Sequence, residues 1–322
     1  MKKLFLMMLI GATQMIPANA QQGLGGMVLD STYTTNGDGI RESKTVYEYN
    51  SDKQLTATYD YSYGFIYDSN IFLSGRTLYT YDVQGHPLKQ ETYEYEDDQY
   101  ILTGTVEFSE WNEDAGMPAV TVIQALDEDD PSAGLQPYMK NVIRKFHGKS
   151  GPEDTESFSW DKESGSWIPA GGTKAEFDSH GNMTKETVTM TVEEEGVSYS
   201  MDIMSTYEYD SHGNVTKEIS SSLVMGFDFG TTEKTYVNEY YPDGNLKKVT
   251  ETEIAKEFYG GNQDVITIKY YFWSAGGTSG IKAINKAQKA LERYHDLNGN
   301  EFNGTPSEKG LFIRDGKLIL NR

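Results

Sequence analysis

Cysteine is absent from all 322 residues. That excludes disulfides, a thiolate nucleophile, and zinc or iron–sulfur centres held by sulfur. Basic residues are few, 28 Lys and Arg against 49 Asp and Glu, for a formal charge of -21. Such a surface repels phosphate backbones and anionic lipid, so it argues against nucleic acid as a partner and favours cations, basic proteins or neutral glycans. Long apolar runs are missing too: no stretch reaches 18 residues, and no transmembrane helix is expected. Apolar content is low at 37%, and 23 tyrosines contribute to it. Tyrosine suits half-buried positions, so the body reads as sheet-like, without a thick aliphatic core.

The first twenty residues read as a signal peptide. Lys2 and Lys3 give a basic start, residues 4–12 form a short apolar run, and Ala18-Asn19-Ala20 is a cleavage site of the A-x-A kind. Export to the periplasm, the outer-membrane surface or the outside follows as an expectation. Removal of the segment leaves 26 basic and 49 acidic residues.

What the chain has in quantity is one phrase. Glu176 to Glu186 reads EFDSHGNMTKE, and Glu208 to Glu218 reads EYDSHGNVTKE. Aligned on their glycines, Gly181, Gly213 and Gly244 stand 32 and 31 residues apart. The same spacing extends back through Gly116 and Gly85 to Lys53, with a degraded unit ending at Gly151 and a last one near Gly276. About eight units of roughly 32 residues result.

Each unit has the same grammar. Aromatic pairs at i and i+2 come first: Tyr47/Tyr49, Tyr79/Tyr81 and Tyr207/Tyr209. That spacing puts both rings on one face of a strand. Aspartates Asp82, Asp178 and Asp210 then accept hydrogen bonds from turn amides, and Gly85, Gly116, Gly181, Gly213 and Gly244 supply the positive φ of a tight hairpin. The fold class is therefore all-β, an antiparallel hairpin meander of about sixteen strands. An open sheet of that size curls or splits, so a curled or elongated sheet is expected over 21–273.

Tyr209-Asp210-Ser211-His212-Gly213-Asn214-Val215, Phe177 to Met183 and Tyr81 to Leu88 resemble the YD (Rhs-type) repeat of secreted and surface bacterial proteins. The resemblance implies β-strand wrapping and extracellular display, with no enzymatic activity.

Composition changes after Trp273. Residues 274–291 read as a linker or short helix, and 292–322 as a separate module. Tyr294, Leu297 and Gly299, then Pro306, Gly310, Leu311 and Ile313, then Gly316, Lys317, Leu318 and Leu320 give three short strands with two glycine turns. This pattern resembles the type A C-terminal sorting domain of the type IX secretion system of Bacteroidota. It implies contact with export or outer-membrane machinery.

Catalytic signatures are not found. His180 and His212 lie among side-chain oxygens, but sister units lose the histidine and keep the turn. Asp127, Glu128, Asp129 and Asp130 form a solvated acidic loop, and calcium is the cation it would gather. No cofactor is expected. The function expected is binding or adhesion to a glycan or protein through the Tyr-rich strands. The alternatives are an envelope spacer and a surface glycan hydrolase.

Overall fold

The computed structural model describes residues 24–63, 71–127, 130–194, 197–256 and 263–274, with the backbone of four short strands beyond 292. The signal-peptide reading and the linker or short helix at 274–291 lie outside the described residues, except Ser274, which ends a strand. Two compact units are resolved, Met1–Gly276 and Gly277–Arg322.

The first unit holds sixteen strands among its described residues. They are β1 (Val28–Asn36), β2 (Arg41–Tyr49), β3 (Leu55–Tyr63), β4 (Ile71–Tyr81), β5 (Pro87–Glu96), β6 (Gln99–Asn112), β7 (Met117–Leu126) and β8 (Leu135–Phe146). Then follow β9 (Pro152–Asp161), β10 (Ser166–Phe177), β11 (Met183–Glu194), β12 (Val197–Tyr209), β13 (Val215–Val224), β14 (Phe227–Tyr240), β15 (Leu246–Lys256) and β16 (Gln263–Ser274).

Each strand pairs with its neighbours in sequence, and β1 pairs antiparallel with β16 from Val28↔Ser274 to Asn36↔Thr267. The sheet expected to curl or elongate with open edges closes into a barrel. Closure is favoured because it gives the two terminal strands their missing hydrogen-bond partners and leaves no edge to aggregate.

The repeat is explained by the turns. The Asp178 amide donates to Asn182 O at 2.9 Å, and the Gly181 amide donates to Asp178 O at 3.1 Å. The Asp178 carboxylate accepts the amides of His180 and Asn182 at 2.8 and 2.9 Å. Asp210 does the same for His212 and Asn214, and Asp82 for Gln84 and His86. Gly181 and Gly213 sit at φ 86° and 79°, where a Cβ is strained. All these turns share one rim, because the meander alternates ends.

Facing residues of an antiparallel pair lie on the same side of the sheet. Followed around the barrel, Thr32↔Thr45, Tyr47↔Thr58, Thr58↔Thr77, Tyr207↔Glu218, Tyr236↔Glu251 and Thr32↔Tyr271 belong to one face. Thr32, Thr58, Thr121, Asn141 and Ser205 of this face are buried. The opposite face holds exposed Glu107, Lys174, Glu176, Thr206 and Thr235. The first face is therefore the inside, and it is largely polar.

At the turn rim Val28, Tyr49 and Leu55 form a buried cluster, with Tyr47 and Tyr79 packed against it. In several units the second aromatic hydrogen-bonds the unit before it. Tyr81 Oη donates to Leu55 O and Tyr209 Oη to Met183 O, both at 2.6 Å. Trp273 Nε1 makes the corresponding bond to Leu246 O at 2.7 Å.

Two inward carboxylates carry a cost. Burial pushes the Asp60 carboxyl above its ordinary value, partly offset by a hydrogen bond from Thr45 Oγ1 at 2.8 Å. Burial raises Glu186 as well, against a hydrogen bond from Tyr207. For an acid held above its unfolded pKa, the native state binds the proton more tightly. Stability is then greatest at low pH and is lost as pH rises through the raised value. The double variant Asp60→Asn/Glu186→Gln should be more stable than wild type at about pH 7 and lose that advantage near about pH 4. Urea unfolding across this range checks the sign.

The second unit forms a four-stranded sheet in the order β18-β17-β19-β20. Its strands are β17 (Arg293–Asp296), β18 (Glu301–Asn303), β19 (Gly310–Arg314) and β20 (Lys317–Asn321). Three strands were expected. The fourth, β18, pairs antiparallel with β17, Arg293 facing Asn303. Tyr294 lies in β17, Gly310 and Ile313 in β19, and Lys317 in β20. Leu297, Gly299, Pro306 and Gly316 fall outside the described residues.

Candidate functional site

The outward face differs from one side of the barrel to the other. From β11 to β15 its positions are mostly threonine, serine, lysine and glutamate, such as Thr187, Thr206, Lys217, Thr235 and Thr250. Ion pairs cross strands on this outer wall: Arg144–Glu156 at 2.6 Å, Lys217–Glu233 at 2.9 Å and Lys248–Glu239 at 2.7 Å. A lipid-facing barrel instead needs an outward apolar band about 25 Å tall. Among the described residues no helix is long and apolar enough to cross a membrane.

From β16 across β1 to β6 the outward face carries a series of aromatic residues. Tyr33 faces Tyr270 in register, and their rings stack at 4.4 Å and 19°. Phe272 stacks on the same Tyr33 ring at 5.6 Å. The Arg41 guanidinium lies 5.2 Å from Tyr33 and 6.0 Å from Tyr63. Further round, the Arg76 guanidinium lies 3.8 Å from the Tyr100 ring and 4.7 Å from Tyr93. Tyr95 meets Tyr100 edge-on at 4.9 Å.

These rings are seated, and they form a packed layer. Val46 and Ala57 point outward yet are 1% and 3% exposed, because Tyr59 faces Val46 and Leu78 faces Ala57. Tyr59 donates to Glu48 at 3.2 Å and Tyr93 to Glu91 at 3.1 Å. Burial, with Glu48 nearby, pushes the Tyr59 phenol up to about 12. Burial is also the first cause of the rise at Tyr33, Tyr61 and Tyr93. All four therefore remain neutral donors at physiological pH. Arg76 Nε is buried without a hydrogen-bond partner, so that guanidinium is held mainly by rings.

The tyrosine pairs next to the turns occupy the other face. Tyr47, Tyr49, Tyr79, Tyr81, Tyr207 and Tyr209 line the interior and are buried or half-buried. Burial lifts the Tyr79 and Tyr81 phenols to about 12. The aromatic wall draws instead on Tyr33, Tyr59, Tyr93, Tyr100 and Tyr270, which stand away from the turn motif. Their signal in the sequence is runs such as Tyr59-Asp60-Tyr61-Ser62-Tyr63, whose alternation does not tell inside from outside.

The turn histidines serve packing. His86 stacks on Trp111 at 4.1 Å, His147 on Phe177 at 4.8 Å and His212 on Tyr240 at 4.1 Å. Each joins one turn to an aromatic of the next unit. The His180 side chain is 82% exposed. In the acidic loop Asp127 pairs with Lys162, and Asp130 accepts from Ser132 at 2.6 Å. Glu128 and Asp129 lie outside the described residues. Among the described residues no group of three or more His, Cys, Asp or Glu side chains is placed to hold a metal ion.

No family model matches the chain, and no curated protein does. Among solved structures it is similar to a porin-like protein from Bacteroides uniformis, at 11% identity and a TM-score of 0.39, over 76% of this chain and 98% of that one. A porin-like protein from Bacteroides vulgatus is similar at 10% identity and 0.35, over 75% and 98%. The TcdB2-TccC3-Cdc42 structure follows at 12% and 0.20, over 73% of this chain and 16% of that one. Likeness of this degree assigns neither a family nor an activity.

Proposed function

We propose that the protein is an exported, non-enzymatic binding barrel that stands in water at the cell surface and holds a neutral glycan against its aromatic wall. The observation that carries this reading is the outward cluster of Tyr33, Tyr270 and Phe272 with Arg41, continued by Tyr93, Tyr95 and Tyr100 with Arg76. A packed aromatic surface with interleaved guanidinium groups offers flat apolar contact and donors together. That combination is typical of the residues that dominate recognition. The acidic net charge disfavours acidic polymers on the same surface. The Lys–Glu pairs on the outer wall support a solvated barrel.

A glycan array with the full chain tests the reading. Reproducible binding to neutral glycans, lost when wall residues are replaced, supports it. Silence across the array with an intact fold would turn the choice to an envelope spacer. Release of product from an arrayed glycan would overturn both and point to a hydrolase.

A further inference from the structure

A cavity lies inside the barrel, on the face the wall does not use. It has a volume of about 340 Å³, within the range of small-molecule sites, and is lined by Thr34, Tyr236, Glu251, Thr267, Lys269 and Tyr271. Asn214 and Leu246, next to the turns, mark its outer end. Tyr236 and Glu251 lie further along the strands.

Several of its polar groups are already engaged. Tyr236 donates to Glu218 at 3.0 Å. Glu251 is paired with Lys234 at 3.1 Å, and Lys234 also reaches Glu253 at 3.3 Å. Asn238 donates to Asp210 Oδ2 and to Val215 O, both at 3.0 Å.

Lys269 is different. Among the described residues it has no carboxylate within 4.0 Å. Its ammonium lies 5.5 Å from the Tyr271 ring, and Asp60 is the charge that acts on it. Burial lowers its pKa, as expected for a cation that lacks a direct partner. The Tyr271 phenol, lifted to about 12 by burial, remains a donor beside it. Thr34 and Thr267 add hydroxyls to the same wall.

An inward cation in a desolvated site is stabilised by an anion. A simple ion would leave most of this volume unfilled, along with the ring and the hydroxyls. We infer that the lumen binds a small acidic polyol, of the hexuronic acid class. Its carboxylate lies on Lys269, its hydroxyls on Thr34 and Thr267, and its ring against Tyr271.

Calorimetric titration of the full chain with glucuronate, glucose and acetate tests this. Glucuronate should bind, with glucose and acetate at least about tenfold weaker. Lys269→Met should weaken glucuronate by about tenfold or more, and Tyr271→Phe by about threefold or more. Lys217→Ala, on the threonine-rich outer side, should change nothing. Far-ultraviolet circular dichroism establishes that each variant keeps its strands. If Lys269→Met fails to fold, Tyr271→Phe and the glucose arm still decide. Absence of glucuronate binding, or binding unchanged in a folded Lys269 or Tyr271 variant, would overturn the inference. Acetate or glucose binding equal to glucuronate would overturn the acidic polyol as the ligand class.

Discussion

Gly171→Val is expected to destabilise the barrel by about 3 kcal/mol or more. Gly171 lies in β10 at φ 128°, a conformation essentially reserved for glycine. A Cβ there would stand 1.9 Å from the carbonyl oxygen of Thr189 on β11. At its neighbour Gly172, a Cβ would stand 2.3 Å from Thr155 O on β9. The obstacle on both sides is backbone, so relief requires the strands to move apart. The β9–β10 register already shifts between Pro169 and Gly171, marking a bulge. Gly104→Ala provides the comparison, because its Cβ would stand at 3.4 Å from Gln124 O without a positive φ. It should cost under about 1 kcal/mol. Urea midpoints of the two variants decide. A Gly171→Val midpoint equal to that of Gly104→Ala would show that the strands do not approach as described.

The second large effect concerns the wall. Arg76→Ala/Tyr100→Ala should weaken binding to any neutral glycan found on the array by about tenfold or more. The pair is chosen because the guanidinium and the Tyr100 ring are 3.8 Å apart, so removing both takes away a ring face and its cation together. Tyr33→Ala should act in the same direction, since its ring underlies both Tyr270 and Phe272. Lys217→Ala, on the threonine-rich side, should leave affinity unchanged. Tyr81→Phe should also leave affinity unchanged while lowering stability by about 1 kcal/mol, through loss of its bond to Leu55 O. Equal loss of affinity in Lys217→Ala would remove the wall from the account.

The contrast between Tyr81 and Tyr100 shows what the sequence made legible. The turn Asp82-Val83-Gln84-Gly85 is local, so its hairpin, its spacing and hence the sixteen strands could be read from one unit. Closure could not, because it depends on Tyr33 finding Tyr270 across most of the chain. Sidedness was hidden for a different reason. A barrel with a polar interior gives no apolar alternation to separate Tyr207 and Tyr209 inside from Tyr59 and Tyr61 outside. The aromatic richness and period-two spacing indicated a ring-lined face, and only the register says which rings share it. Lys269 was equally unreadable, since Lys269-Tyr270-Tyr271 looks like any strand until β16 closes onto β1 and sets Lys269 beside Thr34.

Closure joins Tyr270 and Phe272 of β16 to Tyr33 of β1 and so completes the wall. The absence of cysteine allows that claim to be tested without background thiols. Ser31 and Phe272 are in register across the seam. In the double variant Ser31→Cys/Phe272→Cys, mild oxidation of monomeric protein should form an intramolecular disulfide, seen as a faster-migrating band that reverts on reduction. Both thiols remaining free to alkylation, in protein that retains its strand signal, would contradict the closed barrel.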